Sequence, residues 1–206
     1  MKHFVIAIGR EFGSGGAEIG KLLAKKLGVR CYDRTLIDMA VEKTGFVKDC
    51  LVQEDESMTV LRKSLLSIGS TGTPLIADEL MHAECDIIRQ LADGDSCIIV
   101  GRCADYVLED RDDVMNVFIW APDDYRIDRI LHDPTLNEDQ TMTKEKAARL
   151  LRKKSSQRAG YYKYVTGDEM GTNRRNQLRI NSAAFGGSET TACVLEAAVR
   201  LRFAED

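Results

Sequence analysis

Five glycines and a serine fall within GREFGSGGAEIGK, Gly9 to Lys21, four of the glycines between Gly9 and Gly16, directly after the apolar run FVIAI. Gly13, Ser14, Gly15 and Gly16 set backbone N–H groups around one point at the start of a helix-like run, LLAKKLG, an arrangement suited to holding phosphate. A tight strand-to-helix turn alone asks for one glycine rather than four in eight residues. The phosphate-loop pattern G-x-x-x-x-G-K-[ST] adds a lysine for the β and γ phosphates and a hydroxyl for magnesium. With the glycines aligned, Gly16 and Ala17 occupy those two places, so the positive charge must come from elsewhere. Lys21 is the nearest lysine, but it lies one turn into the helix, mostly opposite the stripe of Ile19, Leu22, Leu23 and Leu27, and is expected to face solvent.

Arginines are the alternative source. Arg10 stands at the mouth of the loop, and Arg102 directly follows an apolar run in SCIIVGRCADYVLED. Ligands of open α/β sheets bind beyond the carboxyl ends of the strands, which places Arg102 in the same crevice as the glycine loop. A guanidinium there suits bidentate phosphate binding, although a structural pair with Asp105 or Glu11 would also account for it. In APDDYRIDRI, the acids Asp123, Asp124 and Asp128 with Arg126 and Arg129 read as an exposed helix face with i,i+3 pairs; the alternative is that one of these arginines reaches donor phosphate. Tyr161, Tyr162 and Tyr164 are expected to pack a helix against the body rather than to stack on a base.

The net charge of −4 conceals a strong asymmetry. Thr143 to Arg179 holds eleven Lys or Arg against three acids, a balance of +8 that leaves the remainder at −12. An acidic body opposes nucleic acid at long range, whereas a local basic stretch suits a small polyanion. Arg152 and Arg158 lie in that stretch. The six cysteines form no C-x-x-C pair and group with none of the three histidines, so they read as reduced thiols without zinc or catalytic roles. The apolar run before Gly9 is too short for a signal peptide or a membrane span, which leads to the expectation of a cytoplasmic protein without a membrane partner.

The elements that must position these residues follow from pattern. Apolar runs at Phe4–Ile8, Val29–Tyr32, Cys97–Val100, Val117–Trp120 and Leu178–Ile180 alternate with helical periodicity. Strands apolar on both faces and separated by helices indicate a three-layer α/β/α fold around a parallel five-stranded sheet. All 206 residues fit one domain, with a helical insertion at about 43–92, broken near Gly69 to Pro74, which would cover a substrate or form a homodimer contact.

In order and spacing, IGREFGSGGAEIGKLLAKKLG, YDRTLI, IIVGRCADYVL, VFIWAP, QRAGYYKYVTGDEMG and LRINS resemble the cytidylate-kinase-like family of P-loop nucleotide kinases from about Phe4 to Phe185. The resemblance implies a nucleoside monophosphate kinase that moves the γ-phosphoryl group of ATP, with magnesium, to CMP or dCMP. It places the donor phosphates on the glycine loop, Asp33, Arg102 and Asp105 on the acceptor side, and a helical lid at about 132–172, with Arg149 to Arg158 as the lid and its hinge. Arg10, Arg102, Arg152 and Arg158 then carry the charge for catalysis. Three positions depart from the family pattern: Ala17 where an arginine often follows GSGG, Cys103 where cytidylate kinases have aspartate, and Ser155 where the lid usually offers aspartate. The last two bear on recognition of the base.

Overall fold

The structure, a computed structural model, describes residues 1–33, 36, 38–39, 74–137, 141–171 and 175–205. Its elements run β1 (Val5–Arg10), α1 (Gly16–Leu27), β2 (Arg30–Tyr32), α2 (Pro74–Asp93), β3 (Cys97–Val100), α3 (Ala104–Val107), β4 (Val114–Trp120), α4 (Asp123–His132), α5 (Lys144–Thr166), β5 (Leu178–Asn181) and α6 (Ser188–Arg202). Five strands form one sheet in the order β2-β3-β1-β4-β5, and every pair is parallel. Of the helical insertion, α2 is described, while 43–73, including most of the proposed break, lies outside the described residues.

Alternation along the strands divides the core into two layers. Ile6, Ile8, Ile98 and Val100 face Ile19 and Leu23 of α1 and Leu195 and Val199 of α6. Val5, Ala7, Cys97 and Ile99 face Ala83, Ile87 and Ile88 of α2 and Ala104 of α3. The connections that leave β1 and β3 thus pass to opposite faces of the sheet, which opens a crevice between the carboxyl ends of these neighbouring strands. A third apolar cluster, Phe12 with Ile130, Ala147 and Leu151, fixes α4 and α5 beneath the glycine loop.

Three strands are longer than their apolar runs, β5 by Asn181 alone. β1 continues through Gly9 and Arg10, which pair in register with Phe118 and Ile119. β4 begins at Val114, which pairs with Val5 of β1, and the buried Asn116 is tied to the residue before β5: its N–H donates to Gln177 Oε1 at 2.6 Å, and its carbonyl accepts from Gln177 N–H at 2.9 Å. α5 starts at Thr143, whose hydroxyl accepts from Lys146 N–H, and stops at Gly167 in the left-handed region. No helix among the described residues is long and apolar enough to cross a membrane.

α1 packs so closely on the sheet that a Cβ on Gly20 would stand 2.8 Å from Val100 Cγ2 and 3.5 Å from both Cys31 Sγ and Ile8 Cδ1. Gly20→Val should therefore lower stability by about 2 kcal/mol through overpacking, despite the entropic cost of glycine in a helix. A melting temperature equal to or above that of the parent chain would show that α1 lies further from β3 than described.

Candidate active site

The glycine loop leaves β1 at Arg10, and both Gly13 (φ +80°) and Gly15 (φ +83°) adopt left-handed backbone before α1 begins at Gly16. Only glycine takes these angles without strain, and the first-turn amides of α1 are left without intrahelical partners. Ser14 is fully buried. Its hydroxyl donates to the carbonyls of Glu11 at 2.9 Å and Ile119 at 3.2 Å, and its own carbonyl accepts from the Ser182 hydroxyl at 2.7 Å. Ser14 thus braces the loop against the ends of β4 and β5 and fixes its backbone shape.

Arg10 runs from this loop to the turn after β3. A Cβ on Gly16 would meet Arg10 Cβ at 2.5 Å, and one on Gly101 would collide with the Arg10 guanidinium. Glycine on both sides is what leaves room for the side chain. The turn itself is unusual, because Gly101, Arg102 and Cys103 all have positive φ, at 84°, 54° and 55°. Two consecutive non-glycine residues in that region are strained, and such strain persists where surrounding contacts over-determine it. Arg102 Nη1 lies 3.3 Å from Glu84 Oε1, and its guanidinium carbon lies 5.6 Å from the centroid of the Tyr161 ring.

A cleft occupies the crevice between β1 and β3, with about 890 Å³ of space including its open mouth. Arg10, Arg102, Asp105 and Arg158 all line it. From α5 come Lys154, Gln157, Arg158, Tyr161 and Tyr162, whose spacing puts them on one helical face. Phe118 forms part of the wall, and it is clasped by Gly9 and Gly171, where a Cβ would approach its ring to 2.9 and 2.6 Å. The cleft therefore combines a cationic end with an aromatic wall, a combination that fits an anionic molecule carrying a ring.

Two of the three tyrosines, Tyr161 and Tyr162, tie α5 to the body as expected, whereas Tyr164 is exposed. Tyr161 donates to Glu84 Oε2 at 2.8 Å and Tyr162 to Asp105 Oδ2 at 2.6 Å. Burial, together with the neighbouring carboxylate, raises both phenols well above their ordinary range, so each remains a donor. Asp105 is thus engaged by Tyr162 as well as facing the cleft. Gln157 Oε1 is buried there without a hydrogen bond among the described residues. Gln157 opens the run QRAGYYKYVTGDEMG, but no role was expected of it; its place on the cleft face of α5 brings it to the site.

Other residues stand apart from this cleft. Arg152 is exposed on α5 and does not line it. Asp33 is held by Lys21 Nζ at 3.2 Å, so Lys21, with 66% of its side chain exposed, faces solvent and pairs outside the loop. The reading of Arg126 and Arg129 as an exposed face needs correction. Asp123 does pair with Arg126 at i,i+3, at 2.5 Å, but Arg126 is only 8% exposed. It also donates to the Phe12 carbonyl at 3.4 Å and lies 3.5 Å from Glu11 Oε2. Arg129 lies against Gly15 and bonds Glu18 at 2.8 Å and Asp133 at 3.2 Å. α4 is packed onto the loop, and that tertiary contact buries what the helical pattern left solvated.

The loop's side chains do not fit magnesium. Ala17 has no hydroxyl, Ser14 donates its own to carbonyls, and Glu11 accepts from Ala121 N–H at 3.2 Å while facing Arg126. Magnesium entering with a nucleotide would rest mainly on phosphate oxygens and water.

Residues 5–184 match the model of the cytidylate kinase-like family. The chain belongs to that family. Its fold is similar to that of an uncharacterized protein from Eubacterium ventriosum, with a TM-score of 0.69 and 21% identity over 96% of this chain and 98% of that one. It is also similar to shikimate kinase from Acinetobacter baumannii in complex with shikimate, with a TM-score of 0.56 and 13% identity over 99% of this chain and 97% of that one. Shikimate kinase from Bacteroides thetaiotaomicron gives 0.55 and 14% over 96% and 98%. Among curated protein sequences none matches this chain. Family and fold together make it a kinase-like protein on a P-loop scaffold.

Burial pushes the thiols of Cys31 and Cys97 up to about 11, and that of Cys103, on the cleft wall, further still. Thiolate is the reactive form, so these three stay protonated through neutral pH. Alkylation with iodoacetamide at pH 7.5 followed by peptide mapping should modify the exposed Cys193 first and Cys103 last. Labelling of Cys103 at the rate of Cys193 would contradict this.

Proposed function

We propose that the chain transfers the γ-phosphoryl group of ATP to a nucleoside monophosphate held in the cleft, with CMP or dCMP as the favoured acceptor. The observation that carries this reading is the course of Arg10, which joins the glycine loop at Gly16 to the acceptor-side turn at Gly101. Donor phosphates resting on the loop amides and an acceptor phosphate at Arg102 would meet where this one guanidinium lies. Phosphoryl transfer demands positioning and charge more than covalent chemistry, and a cationic cleft with an aromatic wall supplies both. Arg10 thereby takes the part of the absent loop lysine. Arg158 reaches the same cleft from α5, its guanidinium 5.3 Å from the Phe12 ring centroid at the base of the loop.

The preference for cytidylate rests on the family. Cys103 and Ser155 replace two carboxylates of the cytidylate-kinase pattern, which leaves Asp105 and Gln157 as the polar groups facing a ring. A second reading is a module that binds nucleotide without turning it over. The hydroxyl of Ser14, spent on two carbonyls, favours it together with Ala17. Incubation of AMP, GMP, CMP and UMP with ATP and magnesium, followed by detection of ADP, separates the two. ADP formed with CMP is expected. Nucleotide binding without turnover of any acceptor would establish the second reading instead.

Within the first reading, Arg10→Ala and Arg158→Ala should each lower turnover by on the order of a thousandfold, because a guanidinium on the transferring group acts mainly in the transition state. Lys21→Ala and Arg152→Ala should change it by less than about threefold, since exposed charges contribute little. If Lys21→Ala is the most damaging of the four, the helix lysine carries the charge and the role given to Arg10 is wrong.

The basic stretch serves as a lid in this reading, with α5 closing on its ligands. Hydrogen exchange between Leu131 and Gly171 should slow when a bisubstrate analogue is added. Full protection in the free protein would show α5 to be a fixed wall.

A further inference from the structure

Glu84 has no part in the phosphate loop, yet only 3% of its side chain is exposed, and it sits directly behind Arg102. It comes from α2, on the same helical face as the buried Ile87 and Ile88. A buried acid on an apolar stripe is expensive unless its charge is met. Two groups meet it: Arg102 Nη1 at 3.3 Å from Oε1, and the Tyr161 hydroxyl at 2.8 Å from Oε2. Tyr161 in turn lays its ring 5.6 Å from the Arg102 guanidinium carbon. Three elements that are remote in sequence therefore close on one arginine, whose own backbone is in the left-handed region at φ 54°.

We propose that Glu84 is a positioning residue that, with Tyr161, holds the Arg102 guanidinium on the cleft wall ready for an acceptor phosphate. This inference rests on the acceptor role given to Arg102 above. Oε1 makes no aligned hydrogen bond among the described residues, so its hold on Arg102 is one of charge. Oε2 holds the tyrosine, and the ring covers the guanidinium. Because Tyr161 belongs to α5, docking of that helix and placement of Arg102 are one event. An anion that engages Arg102 favours the docked helix, and a docked helix presents Arg102 already oriented.

Two effects compete when the carboxylate is neutralised. Loss of a negative charge behind Arg102 would by simple Coulomb attraction tighten anion binding. However, Arg102 has only 16% of its side chain exposed, and without Glu84 a mostly desolvated charge would lose its buried counter-charge. The cost of keeping such a charge out of water outweighs the gain in attraction, so the long side chain turns toward solvent and leaves the wall. The sign of the change in acceptor affinity thus distinguishes positioning from mere partial neutralisation.

Steady-state kinetics with ATP and CMP on the full chain, for Glu84→Gln, Arg102→Ala and the double variant, test this. Glutamine retains an oxygen for the Tyr161 hydroxyl and removes only the charge. The expected result is an acceptor KM raised roughly tenfold in Glu84→Gln with the KM for ATP within about twofold, and no further effect of Glu84→Gln in the Arg102→Ala background. An acceptor KM that falls or stays the same, or two single effects that simply multiply, overturns the proposal. A purely structural glutamate would move both KM values together. Should Glu84→Gln fail to fold, Tyr161→Phe keeps the ring over Arg102 but frees Glu84 from the phenol, and it should raise the acceptor KM alone by a smaller factor; equal changes in both KM values overturn the proposal there too. Calorimetric titration with CMP separates the two levels. If the parent chain binds CMP without turnover, the same cycle is read in Kd. If it binds no nucleoside monophosphate, the proposed function fails and this inference with it.

Discussion

The site depends on one spatial constraint: the Arg10 side chain must pass between Gly16 and Gly101, positions at which any Cβ would meet it. That passage exists because β1 and β3 are neighbours whose following helices go to opposite faces of the sheet, leaving their carboxyl ends uncovered. A lysine at the loop's own helix terminus would place a charge on the donor phosphates alone. An arginine rooted in β1 spans the loop and the turn after β3, and its planar fork can serve oxygens on both sides. The change of residue type is therefore also a change in where the charge is anchored.

With the charge moved into the crevice, the outer side of the loop takes on a bracing function. Arg126 lies against Gly13 with Glu11 and Asp123 for partners, and Arg129 against Gly15 with Glu18 and Asp133. Each of these guanidiniums is matched by two carboxylates, so neither contributes a large uncompensated field to the loop. The cleft side is lined by Arg10, Arg102, Lys154 and Arg158 together with Asp105, and Glu84 lies behind Arg102.

Much of this was legible in the sequence, for identifiable reasons. Strands apolar on both faces mark a covered parallel sheet, and each of the five runs marks a strand, with boundaries displaced by one residue at β2 and β5 and by more where Gly9 and Asn116 interrupt the apolar pattern. Glycines crowded after β1 and a Gly-Arg pair after β3 located the two lips of the crevice. The burial of Arg126 and Arg129 was not legible, because helical spacing describes partners along α4 and says nothing of the loop packed upon it. Glu84 carried a signal that could have been read: positions 84, 87, 88 and 91 form one helical face on which the other three are Ile, Ile and Leu. An acid on such a face asks for a cationic partner from another element, although sequence alone does not say which one.

The two halves of the crevice are joined by α5 through contacts of different kinds. Toward the glycine loop, Arg158 lies over Phe12, which itself packs with Ile130, Ala147 and Leu151. Toward the turn after β3, Tyr161 and Tyr162 donate to Glu84 and Asp105. Apolar packing near the start of the helix is non-directional and tolerates small shifts, whereas two phenol–carboxylate bonds near its end demand a defined register. Glu84 belongs to α2 and Asp105 to α3, which directly follows the turn that carries Arg102, so that register is set by elements that flank Arg102. The helix is thus anchored loosely beside the glycine loop and held in register beside the turn after β3, and its docked position and the placement of Arg102 are specified by one set of contacts.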